Sequence, residues 1–228
     1  ERNGNNKFPI RTTNLNGQDV GAKGTVKITR LIEPEGLFRT SLWEKPDIQK
    51  FTKSDYQKLF PHDSYDEKLE VKDFKRGDEI YATSFDTDKR DTVDFTSLKT
   101  WKPGRYVIDI ETVDAFGEPV TETKYIRLID KTEKTNPTNE IWSFVPLKVH
   151  CEPEENAEFI IYSAAKDLSV LYEIEHKGKI ISKKLITLNS SQQKISIPIL
   201  EKYRGNIMVH FTTVKYGRSH IAKSAIYV

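Results

Sequence analysis

The chain has 228 residues, with Lys+Arg 36 against Asp+Glu 34 and a formal net charge of +2. Divided at residues 134/135 it carries 24 basic and 25 acidic residues, then 12 and 9, so neither part has the basic excess that phosphate binding demands. No apolar run approaches the ~20 residues of a membrane-spanning helix, and the lone Cys151 cannot form an internal disulfide.

The length allows one large or two ordinary domains. A single thiol fits a reducing compartment, or an envelope protein that does not rely on disulfides. There is no initiator Met and no signal peptide at the start, which reads as an excised segment or mature fragment.

In chain order, Glu1 to Asn6 is polar, with the composition of a frayed end. Phe8 to Leu15 reads as extended, and Asn14-Leu15-Asn16-Gly17 carries turn signals. Gly24 to Ile32 alternates, but Arg30 falls on the apolar side, which places this strand near a sheet edge. Residues 34–75 break the period of two. They hold Trp43, Pro46, Phe51, Tyr56, Phe60, Pro61 and Tyr65, with a short helix expected from a Thr52 N-cap to a stop at Pro61. We read them as a partly helical insertion whose aromatic content argues for packing on the sandwich.

Strands resume at Glu79 to Phe85 and at Thr92 to Leu98. From Pro103 to Leu128 comes the clearest unit of the chain. Tyr106, Ile108 and Ile110 fall on one face, Arg105, Asp109 and Glu111 on the other, and Phe116-Gly117-Glu118-Pro119 turns the chain into a second strand. The polar stretch 131–140, with Pro137, reads as a linker. Beyond it, Trp142–His150, Ala157–Ser163, Ser169–His176, Lys179–Leu188, Gln192–Leu200, Asn206–Lys215 and Ser219–Val228 repeat the pattern, with turns about Lys177-Gly178 and Tyr216-Gly217-Arg218. The expected architecture is all-β: two tandem immunoglobulin-like seven-stranded β-sandwiches over 1–130 and 141–228, the first carrying the insertion at about 34–75.

Several phrases also carry a family likeness. Thr13-Asn14-Leu15-Asn16-Gly17-Gln18, followed by Gly24-Thr25-Val26-Lys27-Ile28, resembles the start of a macroglobulin domain. Lys102-Pro103-Gly104-Arg105-Tyr106 with Asp114-Ala115-Phe116-Gly117-Glu118 resembles that domain's closing hairpin. Phe144-Val145-Pro146-Leu147 and Pro153-Glu154-Glu155-Asn156-Ala157-Glu158-Phe159 resemble the opening of the next domain. The run Val170 to Ser182, with Ile197-Pro198-Ile199 and Arg204-Gly205-Asn206, is similar to the module near the bait region. In this order the phrases resemble two consecutive macroglobulin domains of bacterial α2-macroglobulin-like proteins of the Bacteroides type.

That resemblance implies macroglobulin-type sandwiches acting as non-enzymatic scaffold in a periplasmic or surface-exposed cell-envelope protein. Its implied role is endopeptidase inhibition by trapping, or envelope defence. The implied partners are proteases, met through the full-length parent, and neighbouring domains of the same chain, with no nucleic acid. The thioester motif of such proteins, a Cys followed shortly by Glu-Gln, is absent: Cys151 precedes Glu152-Pro153.

Candidate sites are few. His150-Cys151 pairs a thiol with an imidazole, but neighbours on a strand point to opposite faces, so the residues read as ordinary strand positions. His62 to Glu67 and Asp86 to Asp91 are oxygen-rich but read as polar turns rather than calcium loops. His210 and His220 fall on the last hairpin and not opposite one another. No phosphate loop, nucleophile elbow or His-Glu-x-x-His occurs, so no catalytic, cofactor or metal site is expected. Trp43, Tyr56, Phe60 and Tyr65 of the insertion form a candidate partner surface. The competing reading is packing, since burying each large side chain contributes about 1.5–3 kcal/mol. An adhesion or carbohydrate-binding module using that aromatic surface is the alternative function.

Overall fold

The computed structural model describes residues 7–228, apart from the side chains of residues 96 and 97; the polar stretch 1–6 lies outside them. The described residues form thirteen strands, one α-helix and three short 3-10 turns. The chain is all-β, and its sheets are antiparallel.

By its contacts the chain divides into two units, Glu1–Pro34 with Lys68–Asp130, and Glu35–Glu67 with Lys131–Val228. This differs from the sequence reading at two places. The insertion 35–67 groups with the second unit. Residues 131–140, read as a linker, also belong there. Gln192 donates its backbone N–H to the Lys134 carbonyl and its Nε2 to the Glu133 carbonyl, both 2.7–2.8 Å, and Thr135 bridges to Ser191.

The first unit contains β1 (Lys7–Pro9), β2 (Lys23–Ile32), β3 (Lys75–Asp86), β4 (Thr92–Asp94), β5 (Gly104–Val113) and β6 (Pro119–Leu128). They make a sheet of order β3-β2-β5-β6 and a two-stranded sheet β1-β4. Val26, Ile28, Phe85, Phe95, Trp101, Tyr106, Ile108 and Leu128 fill the core. Pro119 is tolerated because it opens an edge strand, where no ladder donor is needed.

The strand β2 is not at an edge; it lies between β3 and β5. Its broken alternation comes from register shifts against β3 at Ile28/Thr29 and Thr29/Leu31, which leave Thr29 and Leu31 buried and Arg30 half-buried. The expected strand Thr92–Leu98 stops at Asp94 and continues as a 3-10 turn, Thr96–Thr100. Phe95, Leu98 and Trp101 are all buried, and their spacing of three matches the three residues per turn of that helix.

The second unit contains β7 (Ser143–Lys148), β8 (Asn156–Ser163), β9 (Leu168–His176), β10 (Lys179–Leu188), β11 (Ser191–Pro198), β12 (Ile207–Lys215) and β13 (Arg218–Ile226). A sheet β10-β9-β12-β13 faces a sheet β11-β8-β7 across a core of Phe159, Ile161, Leu168, Val170, Tyr172, Val209, Phe211 and others. The hairpins β9–β10 and β12–β13 close on Lys177-Gly178 and Tyr216-Gly217. All four residues have positive φ, the conformation of the two-residue turn whose twist matches the strands.

The two units repeat one connectivity. In the second, β8 pairs β11, β9 pairs β10 and β12, and β12 pairs β13. In the first, β1 pairs β4, β2 pairs β3 and β5, and β5 pairs β6. Strand for strand these are the same pairs, and β7 alone has no counterpart among the described residues of the first unit. With strands lettered from β7 as A, this is the immunoglobulin-type sandwich with its fourth strand moved beside the third.

Candidate functional site

The aromatic insertion is the one long segment that the shared connectivity does not require. The residues 33–74 connect β2 to β3, where the second unit needs only Lys177-Gly178 between β9 and β10. Within it lies helix α1 (Lys53–Leu59). The Thr52 side chain caps it by accepting from the Asp55 N–H at 3.2 Å, and Phe60 ends it just before Pro61.

The cap sets the positions of the rings. Tyr56 lies 5.0 Å from Phe60 and 5.4 Å from Tyr65, and Phe51 lies 6.2 Å from Phe60. The Tyr65 hydroxyl donates to the Phe51 carbonyl at 3.2 Å. Below them the Glu67 carboxylate accepts from the Tyr65 and Asp66 N–H groups, and Lys53 donates to Asp66 at 2.6 Å. Burial, together with the negative Asp63, raises the Tyr56 hydroxyl above the ordinary tyrosine range.

Three of the four predicted residues, Tyr56, Phe60 and Tyr65, are thus brought together, joined by Phe51. Trp43 makes no ring contact with them and is 73% exposed. Leu42 and Ile48 of the same segment are also exposed, 67% and 79%.

Sequence reasoning missed a polar cluster beside these rings. Arg39 forks onto Asp63, with Nη2 donating at 2.6 Å and Nε to the other oxygen, and its Nη1 donates to the Tyr216 carbonyl at 2.6 Å. The Arg39 hydrogen bonds hold the Asp63 carboxyl below the usual range, against the opposing effect of burial. The His62 ring stacks on Tyr216 with centroids 3.4 Å apart, and its Nδ1 donates to the Leu37 carbonyl at 3.0 Å. No local pattern relates residues 39 and 63, or 62 and 216, so no sequence signal pointed to these pairs.

The remaining candidates are scattered. Cys151 is buried, and burial pushes its thiol up, away from the thiolate a nucleophile needs. His150 is exposed and stacks on Tyr227, 4.7 Å between centroids. Asp86 ends β3 at a turn, its carbonyl accepting from the Lys89 and Arg90 N–H groups and its carboxylate facing Lys23 and Lys89. His210 lies 2.8 Å from Glu175, while His220 pairs with Thr213, so the two histidines are not opposite. Burial lowers the His220 imidazole below its ordinary value. Among the described residues no three His, Cys, Asp or Glu side chains gather as a metal site would require, and no helix is long and apolar enough to cross a membrane.

What fold and surface define, then, is a tandem of immunoglobulin-like β-sandwich units with an aromatic insertion. No family model matches the chain, and no curated protein matches it. Among solved structures it is similar to a Ca2+-stabilised adhesin that helps an Antarctic bacterium reach out and bind ice, at 10% identity and a TM-score of 0.24. The match covers 90% of this chain and 40% of that one. A likeness so distant bears on neither the fold nor the function.

Proposed function

We propose that the chain is a pair of non-enzymatic scaffold domains of a bacterial α2-macroglobulin-like envelope protein, whose role is to hold protease-trapping or defensive parts in position. The observation that supports this reading best is the repeated connectivity, taken with where the family-like phrases fall in it. Lys102-Pro103-Gly104-Arg105-Tyr106 leads into β5, and Tyr106 donates its hydroxyl back to the Lys102 carbonyl at 2.5 Å. Arg204-Gly205-Asn206 leads into β12, the equivalent strand of the second unit. Spacer domains need rigid cores and no reactive centre, and each unit carries its own apolar core. The test is to mix the intact parent protein with an endoprotease and follow its hydrodynamic radius. Compaction that depends on cleavage supports the trapping role; an unchanged radius after cleavage refutes it.

A second reading rests on Trp43. A large indole 73% exposed, in a segment that also exposes Leu42 and Ile48, suits recognition better than core packing. Under this reading the chain binds a glycan or surface protein saturably, and Trp43→Ala abolishes binding. Titration of soluble glycans against the wild-type and variant chains decides it.

A further inference from the structure

Residues 35–67 stand between β2 and β3 in sequence, yet by their contacts they belong to the second unit. They bring little apolar burial to it. Helix α1 has no buried residue, and Ser64 is the one buried side chain of the segment. The core of the second unit is drawn wholly from residues 142–228. What holds the segment is polar and concentrated at the β12–β13 turn. Arg39 ties one flank to the other through Asp63, and its backbone N–H donates to the His62 carbonyl at 2.8 Å. From that closed base, Arg39 Nη1 reaches the Tyr216 carbonyl and His62 covers the Tyr216 ring. Asn139 adds a bond to the Gly36 carbonyl at 2.6 Å.

We propose that residues 35–67 form a releasable strap, held on the β12–β13 turn by the Arg39–Asp63 fork and the His62–Tyr216 stack, which opens while both sheets of the second unit stay folded. Opening costs the sandwich none of its core, because no core residue lies in the strap. The turn it leaves is set by its own backbone, Tyr216 and Gly217 both holding positive φ within a paired hairpin. Arg218, on the same turn, adds its charge to the attraction on Asp63 and so belongs to the polar hold on the strap. Segments of low local stability open in this way without global unfolding.

Hydrogen exchange on the full 228-residue chain tests the proposal. In Arg39→Ala the amides of residues 39, 60 and 63, bonded in the wild type to the His62, Tyr56 and Phe60 carbonyls, exchange at least tenfold faster. Amides of β8, β9 and β12 stay within twofold of wild type. Tyr216→Ala, which removes the stack but not the fork, gives the same pattern at smaller amplitude. Unchanged exchange at 35–67 in both variants overturns the proposal. So does an equal loss of protection in β8, β9 and β12, or failure of either variant to fold, since the segment would then be part of the sandwich.

Discussion

Replacing Tyr106 by Phe removes one oxygen from the first unit and leaves its packing in place. The ring is 1% exposed, lies 5.6 Å from that of Trp101, and sits in β5 opposite Arg30 and Ile126. Its hydroxyl closes a loop four residues back, on the Lys102 carbonyl, where the chain enters β5. This is the tyrosine corner found near the start of the sixth strand of many immunoglobulin-like sandwiches. A neutral hydrogen bond of this kind contributes a net 0.5–1.5 kcal/mol, and an orphaned acceptor adds cost only where water cannot reach it. The bond is part-buried at the entry to β5, and the expected loss is about 1 kcal/mol. That corresponds to about fivefold faster exchange of globally protected amides in β2, β5 and β6. Tyr106→Ala, which also empties the ring's volume, should cost about 3–5 kcal/mol. A Phe variant within about 0.3 kcal/mol of wild type would show that the corner holds nothing. A Phe variant as damaged as the Ala variant would show that the hydroxyl serves a buried network rather than a single bond.

Other perturbations follow the same logic. Phe211, fully buried against the rings of Trp142, Phe144, Phe159 and Tyr172, should cost about 3–5 kcal/mol as Ala, read by denaturant unfolding of the second unit. Gly24→Ala would bring a Cβ to 2.2 Å from the Glu111 carbonyl and 2.7 Å from the Phe85 ring; with β2 held between two neighbours, a loss of about 1–3 kcal/mol or more is expected in thermal melts. Tyr172 has its hydroxyl pushed up to about 12 by burial, with the charge of Tyr203 adding to it. Its folded pKa lies above the unfolded value, so the native state holds the proton longer and stability falls as pH rises from about 10 to 12, by about 2 kcal/mol. Urea melts across that range should show the slope in wild type and lose that part of it in Tyr172→Phe.

The strands were legible because a strand with one buried face writes its period of two into the sequence. The hairpins of the second unit were legible because Gly178 and Gly217 mark turns that need positive φ. Two features hid behind the same rule. The expected strand Thr92–Leu98 ends early because Phe95, Leu98 and Trp101 carry a period of three and form the buried side of a 3-10 turn. Arg30 was read as the mark of an edge, whereas two register shifts beside it turn Leu31 inward in a central strand. A bulge is a property of the pair, and one strand's sequence does not contain it. Of the candidate surface, the Thr52 cap and the short helix ending before Pro61 followed from local spacing; the meeting of Tyr56, Phe60 and Tyr65 did not. The Arg39 fork and the His62 stack did not, because their partners meet only through tertiary structure.

The shared connectivity explains why so long an insertion is compatible with the fold. In β9–β10 a two-residue turn starts the pairing, which then shifts register between Ile180 and Ser182. In β2–β3 residues 33–74 replace that turn, and the register must be set by the sheet itself, through β5 on the far side of β2. The two register shifts of β2 against β3 lie toward its insertion end, and β9–β10 has one as well, between Ile180 and Ser182 beside its tight turn. Lengthening the connection is inexpensive: loop-closure entropy grows by only about 0.6 kcal/mol per doubling, so some four doublings cost about 2–3 kcal/mol. A sandwich can absorb that with its core intact. The segment 35–67 contributes no side chain to the first unit's core; it leaves Trp43 exposed and holds polar contacts at the β12–β13 turn.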